Sequence, residues 1–171
     1  MKIVIIGAQG VGKTTLAKQI NKQYPNFKIL PEAARLAKEA GYNLDQTATT
    51  ETERWLIAKQ IELENTEGKW VADRSSIDLL AYIHLLFSEE SSLIEFATKT
   101  LVPRFSKYDL VLYLPSGQFA IEDDGVRTTD MKFQQAVDER IRDVIEAYKI
   151  PFVRIVGSPP ERLAKVKNLL T

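Results

Sequence analysis

Gly7-Ala8-Gln9-Gly10-Val11-Gly12-Lys13-Thr14 follows directly on the apolar run Lys2-Ile3-Val4-Ile5-Ile6, and Thr15-Leu16-Ala17-Lys18-Gln19-Ile20 after it has helical composition. The order strand, glycine-rich turn, helix is the setting in which the pattern G-x-x-x-x-G-K-[ST] is a phosphate loop. Gly7, Gly10 and Gly12 let the backbone take positive φ and turn its N–H groups inward as an anion nest. The start of the helix adds about half a positive charge aimed at the same point. Lys13 supplies a mobile ammonium for the β- and γ-phosphates and Thr14 a hydroxyl for Mg²⁺. Gln9, Val11 and Thr15 belong to the same cradle by position. The stretch therefore predicts a nucleoside triphosphate, taken as ATP, with Mg²⁺.

Outward from the loop, strands and helices alternate. Phe27–Leu30 reads as a short strand, and Pro31 opens a helix over Glu32–Ala40 that stops at Gly41. Thr50 with Glu53 predicts a capping box for a long helix ended by Gly68. Lys69–Asp73 is strand-like, Ser75 starts an apolar helix through Phe87, and a further helix is expected over Ser91–Phe105. Asp109–Leu114 is a clear strand, and the polar, acidic segment Gln118–Thr129 reads as a loop. A helix with its apolar stripe on Phe133, Val137, Ile141 and Val144 leads to a last strand at Phe152–Val156, and Ser158-Pro159-Pro160-Glu161 caps a final helix. Such alternation predicts a parallel sheet with helices on both faces, in one domain over residues 1–171 with a lid roughly over 116–140.

In open α/β sheets ligands sit beyond the carboxyl ends of the strands, which directs attention to the residues there. Asp73 stands where a strand-end aspartate holds Mg²⁺, with Lys13 and the metal keeping it ionised; otherwise it is an ordinary strand-end acid. Arg74 can fork onto a phosphate or a carboxylate, or form a structural salt bridge. Glu32 is placed to take a proton from an acceptor hydroxyl, or to complement its helix dipole and pair with Arg35. Asp78 reads as a helix cap with Ser75. Arg127 lies in the polar loop where a lid would bring an arginine to the γ-phosphate. Gln60 and Trp55 on the long helix offer an acceptor-pocket wall, Trp55 more readily as core.

The chain carries 23 basic and 23 acidic residues, one histidine and no cysteine. That balance gives no overall field to hold nucleic acid, and thiolate or histidine metal sites are excluded, which leaves a hard cation on oxygen. The first strand is too short for a signal or membrane segment, so a cytoplasmic protein is expected, free of the membrane, with self-association into a homodimer left open.

Taken together, Gly7–Thr14, Glu32-Ala33-Ala34-Arg35, Asp73-Arg74-Ser75-Ser76-Ile77-Asp78, Asp124-Gly125-Val126-Arg127 and Val156-Gly157-Ser158 resemble the small P-loop kinases of the nucleoside and nucleotide kinase group. Within it the likeness is greatest to NadR-like kinase domains, which phosphorylate nicotinamide riboside. The resemblance implies a five-stranded sheet in order 2-3-1-4-5, an arginine-bearing lid with Arg127, and adenine near Ser158 and Pro159. Together with the reading of the residues above, it gives an acceptor site using Glu32, Arg35, Gln60 and Arg74, with Lys13, Glu32, Asp73 and Arg127 catalytic and Thr14 and Asp73 on the metal. The expected activity is transfer of the ATP γ-phosphate to a nucleoside- or nucleotide-like small molecule. The alternatives are an ATPase or binding module without a small acceptor, and a kinase acting on nucleic acid ends or modified bases.

Overall fold

The computed structural model describes residues 1–118 and 129–170. Its sheet holds β1 (Lys2–Ile6), β2 (Lys28–Leu30), β3 (Trp70–Asp73), β4 (Leu110–Tyr113) and β5 (Val153–Arg154), all parallel. The order is β2-β3-β1-β4-β5, the one the resemblance implies. Central β1 is apolar without alternation because both faces are covered: Ile3 to Ile6 are completely buried. Register sets Ile5 beside Asp73 and Ile6 beside Tyr113, so the strand ends open on one crevice.

Seven helices of the described residues surround the sheet: α1 (Lys13–Gln23), α2 (Ala33–Glu39), α3 (Thr50–Glu64), α4 (Ser76–Leu86), α5 (Ser91–Leu101), α6 (Met131–Ala147) and α7 (Pro159–Leu170). α1 packs on α7, and α4 on α5 and α6. One apolar cluster runs through these contacts from Ile3 to Val166, and a smaller one joins α2 to α3 through Ala34, Ala37 and Leu56.

Where the elements depart from expectation, side-chain chemistry gives the reason. The box that starts α3 is Thr49 with Thr52, one residue earlier than Thr50 with Glu53, each hydroxyl accepting from the other's backbone N–H. Two hydroxyls serve as well as a hydroxyl and a carboxylate, and the shift frees Glu53 for a buried position. The helix also stops at Glu64, short of Gly68. The expected helix Ser91–Phe105 ends as α5 at Leu101 and continues as a tighter 3₁₀ turn over Val102–Lys107, because Pro103 has no N–H to continue the α-helical ladder. β5 keeps only Val153 and Arg154 as an edge strand, with Phe152 and Val156 exposed. Ser75 with Asp78 and Ser158 with Glu161 cap α4 and α7 as the sequence predicts. Of the lid range, 131–140 is the first half of α6, with Phe133 and Val137 buried, and 119–128, including Arg127, lies outside the described residues.

Candidate active site

The phosphate loop turns between the end of β1 and the start of α1. Gly7 has φ 147°, and a Cβ there would collide with the Leu114 carbonyl oxygen. Gly12, at φ 90°, is the left-handed residue from which α1 departs. Three side chains from elsewhere hold the loop. The Gly7 N–H donates to Asp78 Oδ1 at 3.0 Å, Gln134 Nε2 donates to the Gln9 carbonyl at 2.6 Å, and Arg162 Nη1 donates to the Val11 carbonyl at 2.6 Å. Arg162 Nε also donates to the Gly157 carbonyl at 2.9 Å, which ties the loop before Ser158 and Pro159 to the phosphate loop. Thr14 and Thr15 stand exposed on the first turn of α1, and Gly10 is exposed at the loop tip.

Lys13 is 5% exposed and folds back to donate to the Ala8 carbonyl at 2.5 Å. Burial, with the Arg74 guanidinium adding to it, pulls its ammonium down to about 8, against the pull of Asp73, Asp78 and Glu32. Thr14 Oγ1 donates to Asp73 Oδ2 through a short hydrogen bond, while Asp73 Oδ1 is buried with no partner. Burial pushes the Asp73 carboxyl up, outweighing the opposing pull of Lys13.

Arg74 follows β3 in the left-handed region, at φ 76°, a conformation a long side chain adopts only when its surroundings hold it. Its Nε donates to Glu32 Oε1 at 2.6 Å in a fully buried ion pair, and its guanidinium lies 5.1 Å from the centroid of the Tyr82 ring. Burial opposes the Arg74 charge, but Tyr82, Glu32, Asp78 and Asp73 together keep it firmly protonated. Arg74 Nη1 is buried and unpaired. Tyr82 Oη then donates to Gln9 Oε1 at 3.2 Å, so ring and guanidinium connect the phosphate loop to the second crevice.

That crevice is a pocket, partly open to solvent, between α2, α3 and α4. Ala33, Ala34, Leu56, Leu79 and Tyr82 give it apolar walls, and Glu53, Gln60, Arg74, Ser75 and Asp78 give it polar ones. Glu53, Leu56 and Gln60 share a face of α3 by their helical spacing.

The structure thus brings Lys13, Thr14, Asp73, Arg74 and Glu32 together and sets Gln60 in the adjoining pocket. Arg35, half-buried one turn along α2, is not part of the pocket wall; its backbone N–H bonds the Glu32 carbonyl. Trp55 stacks on Tyr42 at 5.2 Å and is not in that wall either. Asp78 does more than cap. Oδ2 accepts from the Ser75 N–H and hydroxyl while Oδ1 anchors Gly7, and burial pushes its carboxyl up. Tyr82, Gln134 and Arg162 had no local signal for holding the phosphate loop, since each reaches it from far away in sequence, and Glu53 read as a local cap with nothing to place it in the pocket wall.

Residues 2–162 match a family model described as an AAA domain. Among solved structures, the fold is similar to a NadR protein in complex with NR, at a TM-score of 0.79 and 21% identity, covering 98% of this chain and 50% of that one. The chain therefore spans about half the length of that protein. Deoxyadenosine kinase from M. mycoides with bound dATP gives a TM-score of 0.73 at 14% identity, covering 99% and 98% of the two chains. Thymidylate kinase from Ehrlichia chaffeensis gives 0.65 at 17%, covering 100% and 98%. No curated protein matches the sequence. The fold is that of the P-loop nucleoside and nucleotide kinases, and the chain belongs to the AAA domain family that its residues 2–162 match.

Proposed function

We propose that the protein transfers the γ-phosphate of ATP to a nucleoside- or nucleotide-like small molecule held in the pocket between α2, α3 and α4. The observation that carries this reading is the second chamber itself: it shares Arg74 and Asp78 with the surroundings of the phosphate loop, yet has its own largely apolar walls. A two-substrate enzyme needs such a chamber, whereas a switch or motor does not.

In this reading the loop amides and Lys13 bind the β- and γ-phosphates, and ligand anions replace the Ala8 carbonyl as the partner of Lys13. Mg²⁺ fits beside them. Asp73 Oδ1 is a buried oxygen in want of a partner next to the Thr14 hydroxyl, the oxygen set a hard cation takes while phosphate and water fill the rest of its shell. When bound, the metal neutralises charge on the phosphates. With Asp73 committed to that position, Glu32 accepts the proton as the acceptor hydroxyl oxygen attacks the γ-phosphorus and ADP leaves. Arg74, held flat by Glu32 and Tyr82, directs its unpaired Nη1 to the transferring group or the acceptor. In this reading Ser158 and Pro159 border the adenine, and Arg127, outside the described residues, keeps the role that the family resemblance implies for it. A cytoplasmic setting belongs to the same reading; among the described residues no helix is long and apolar enough to cross a membrane.

The test is ATP consumption against nucleosides, nucleoside monophosphates, nicotinamide riboside and oligonucleotides, with products identified by mass. A kinase turns over little ATP alone and much more with its acceptor. Steady hydrolysis that no acceptor stimulates would replace this reading with that of an ATPase module, which the family description accommodates.

A further inference from the structure

Gln134 on α6 is 4% exposed and Arg162 on α7 is 2% exposed, although both residue types ordinarily stay in water. Each uses its burial in the same way. Gln134 Nε2 donates to the Gln9 carbonyl and Arg162 Nη1 to the Val11 carbonyl, both at 2.6 Å. Those carbonyls belong to the peptides that join Gln9 to Gly10 and Val11 to Gly12, and none of the described peptide bonds is cis. In a trans peptide the C=O and the N–H point in opposite directions across one rigid plane. Fixing the Gln9 carbonyl therefore turns the Gly10 N–H to the side away from Gln134, and fixing the Val11 carbonyl turns the Gly12 N–H away from Arg162. Neither N–H meets a protein acceptor among the described residues. The Gly7 N–H differs, because it is spent on Asp78 Oδ1.

The glycines make these two peptide orientations accessible. Gly10 has φ 72° and Gly12 φ 90°, where other residues are strained. A Cβ on Gly12 would stand 3.1 Å from Arg162 Nη1, so a glycine there is also what lets the guanidinium come so close. Arg162 Nε is tied at the same time to the Gly157 carbonyl, and a planar guanidinium with two bonds in its plane has little freedom to turn.

Resting on the reading that this loop holds the donor phosphates, we propose that Gln134 and Arg162 are positioning residues that aim the Gly10 and Gly12 amides at those phosphates, with Gly7 left out of the contact. The ligand class they serve is a chain of phosphates, whatever base it carries. Amides fixed before the anion arrives need no reorganisation as negative charge develops, whereas a free glycine-rich turn becomes ordered only as the anion binds.

The test reads the amides one by one. Proton–nitrogen NMR spectra are recorded with inorganic tripolyphosphate and with ATP, for the wild type, Gln134→Met, Arg162→Met and the conservative Arg162→Lys. In the wild type the Gly10 and Gly12 amide protons are expected to move downfield on binding, as hydrogen-bonded protons do, while the Gly7 amide stays. Gln134→Met should diminish the movement of Gly10 and spare Gly12; Arg162→Met should do the reverse, and each should weaken tripolyphosphate ~10-fold. Arg162→Lys keeps a donor for the Val11 carbonyl and should restore much of the Gly12 movement. In turnover, KM for ATP should rise in the Met variants with the acceptor KM unchanged, since neither residue lines the pocket between α2, α3 and α4. If a Met variant fails to fold, the wild-type spectra still decide which amides the phosphates meet, and Arg162→Lys carries the test of positioning. Gly10 and Gly12 amides that stay put in the wild type, or variants that alter all three glycines alike, overturn the proposal and leave the kinase reading standing. Phosphate binding as expected without acceptor-stimulated turnover removes the kinase reading and supports the proposal. Absence of binding for both ligands overturns both.

Discussion

The two halves of the crevice are built in opposite ways. The phosphate side is made of backbone: one contiguous stretch turned by glycines at positive φ, with Lys13 as its one buried cation. The acceptor side is made of side chains that meet from α2, α3, β3 and α4, and it rests on two buried ion pairs, Glu32 with Arg74 and Glu64 with Arg104. A backbone site tolerates much variation around a few glycines, since every residue has an N–H to offer. A side-chain site of paired charges depends on each partner, because removing one leaves the other buried without compensation.

That contrast can be broken, and the largest effect should come from its acceptor side. Arg74→Met removes the buried ion-pair partner of the Glu32 carboxylate, and is expected to cost roughly 3–5 kcal/mol by chemical denaturation. The double variant with Glu32→Gln should recover most of the loss; an Arg74→Met protein as stable as the wild type would show the pair to be solvated and the contrast mistaken. On the phosphate side, Lys13→Met should spare the fold yet lower acceptor-dependent turnover about 10²- to 10³-fold, as removal of a positioned transition-state donor does. Full activity in that variant would dissociate the loop from the chemistry.

Asp78 belongs to both halves, so its substitution sharpens the comparison. In Asp78→Asn an N–H₂ must face either the Gly7 N–H or the Ser75 donors, for an expected loss of about 1–2 kcal/mol in stability. ATP and acceptor affinities should fall together, and a change in one alone would assign Asp78 to that side. The smallest effect is a proton. Phosphate beside Lys13 raises an ammonium that sits at about 8 in the free protein, so nucleotide binding takes up protons, and affinity weakens as pH rises through that value. Calorimetry at pH 8 in buffers of different ionisation enthalpy should record uptake of about half a proton per nucleotide, fading toward pH 6.5 and absent in Lys13→Met.

The same division explains what could be read from the letters alone. The loop and the strand-end positions of Asp73, Arg74 and Glu32 were legible, because they follow from short-range pattern and from where an α/β sheet opens, whereas the strand order came from the family resemblance alone. The α3 start was misplaced by one residue because Thr49, Thr50 and Thr52 offer overlapping caps, and only the burial of Glu53 chooses between them. Asp78 looked like a local cap because its second partner, Gly7, is 71 residues away. Glu64 and Arg104 gave no signal as a pair, since nothing in the spacing of 40 residues says they touch. The pocket wall was half legible. Gln60 was recognised as facing it, but its bond to Glu64, itself held by Arg104, could not be seen from Gln60 itself.

The central place of β1 bears on how the chain is made. Its strand and loop come before their partners in the chain: Ile3–Ile6 find their neighbours only in Trp70–Asp73 and Leu110–Tyr113, and the cradle needs Asp78, Gln134 and Arg162 to close it. During synthesis this run is a bare apolar edge, the kind of segment that aggregates or engages chaperones, until those later segments have emerged. The part of the chain read most easily is thus among the last to become competent.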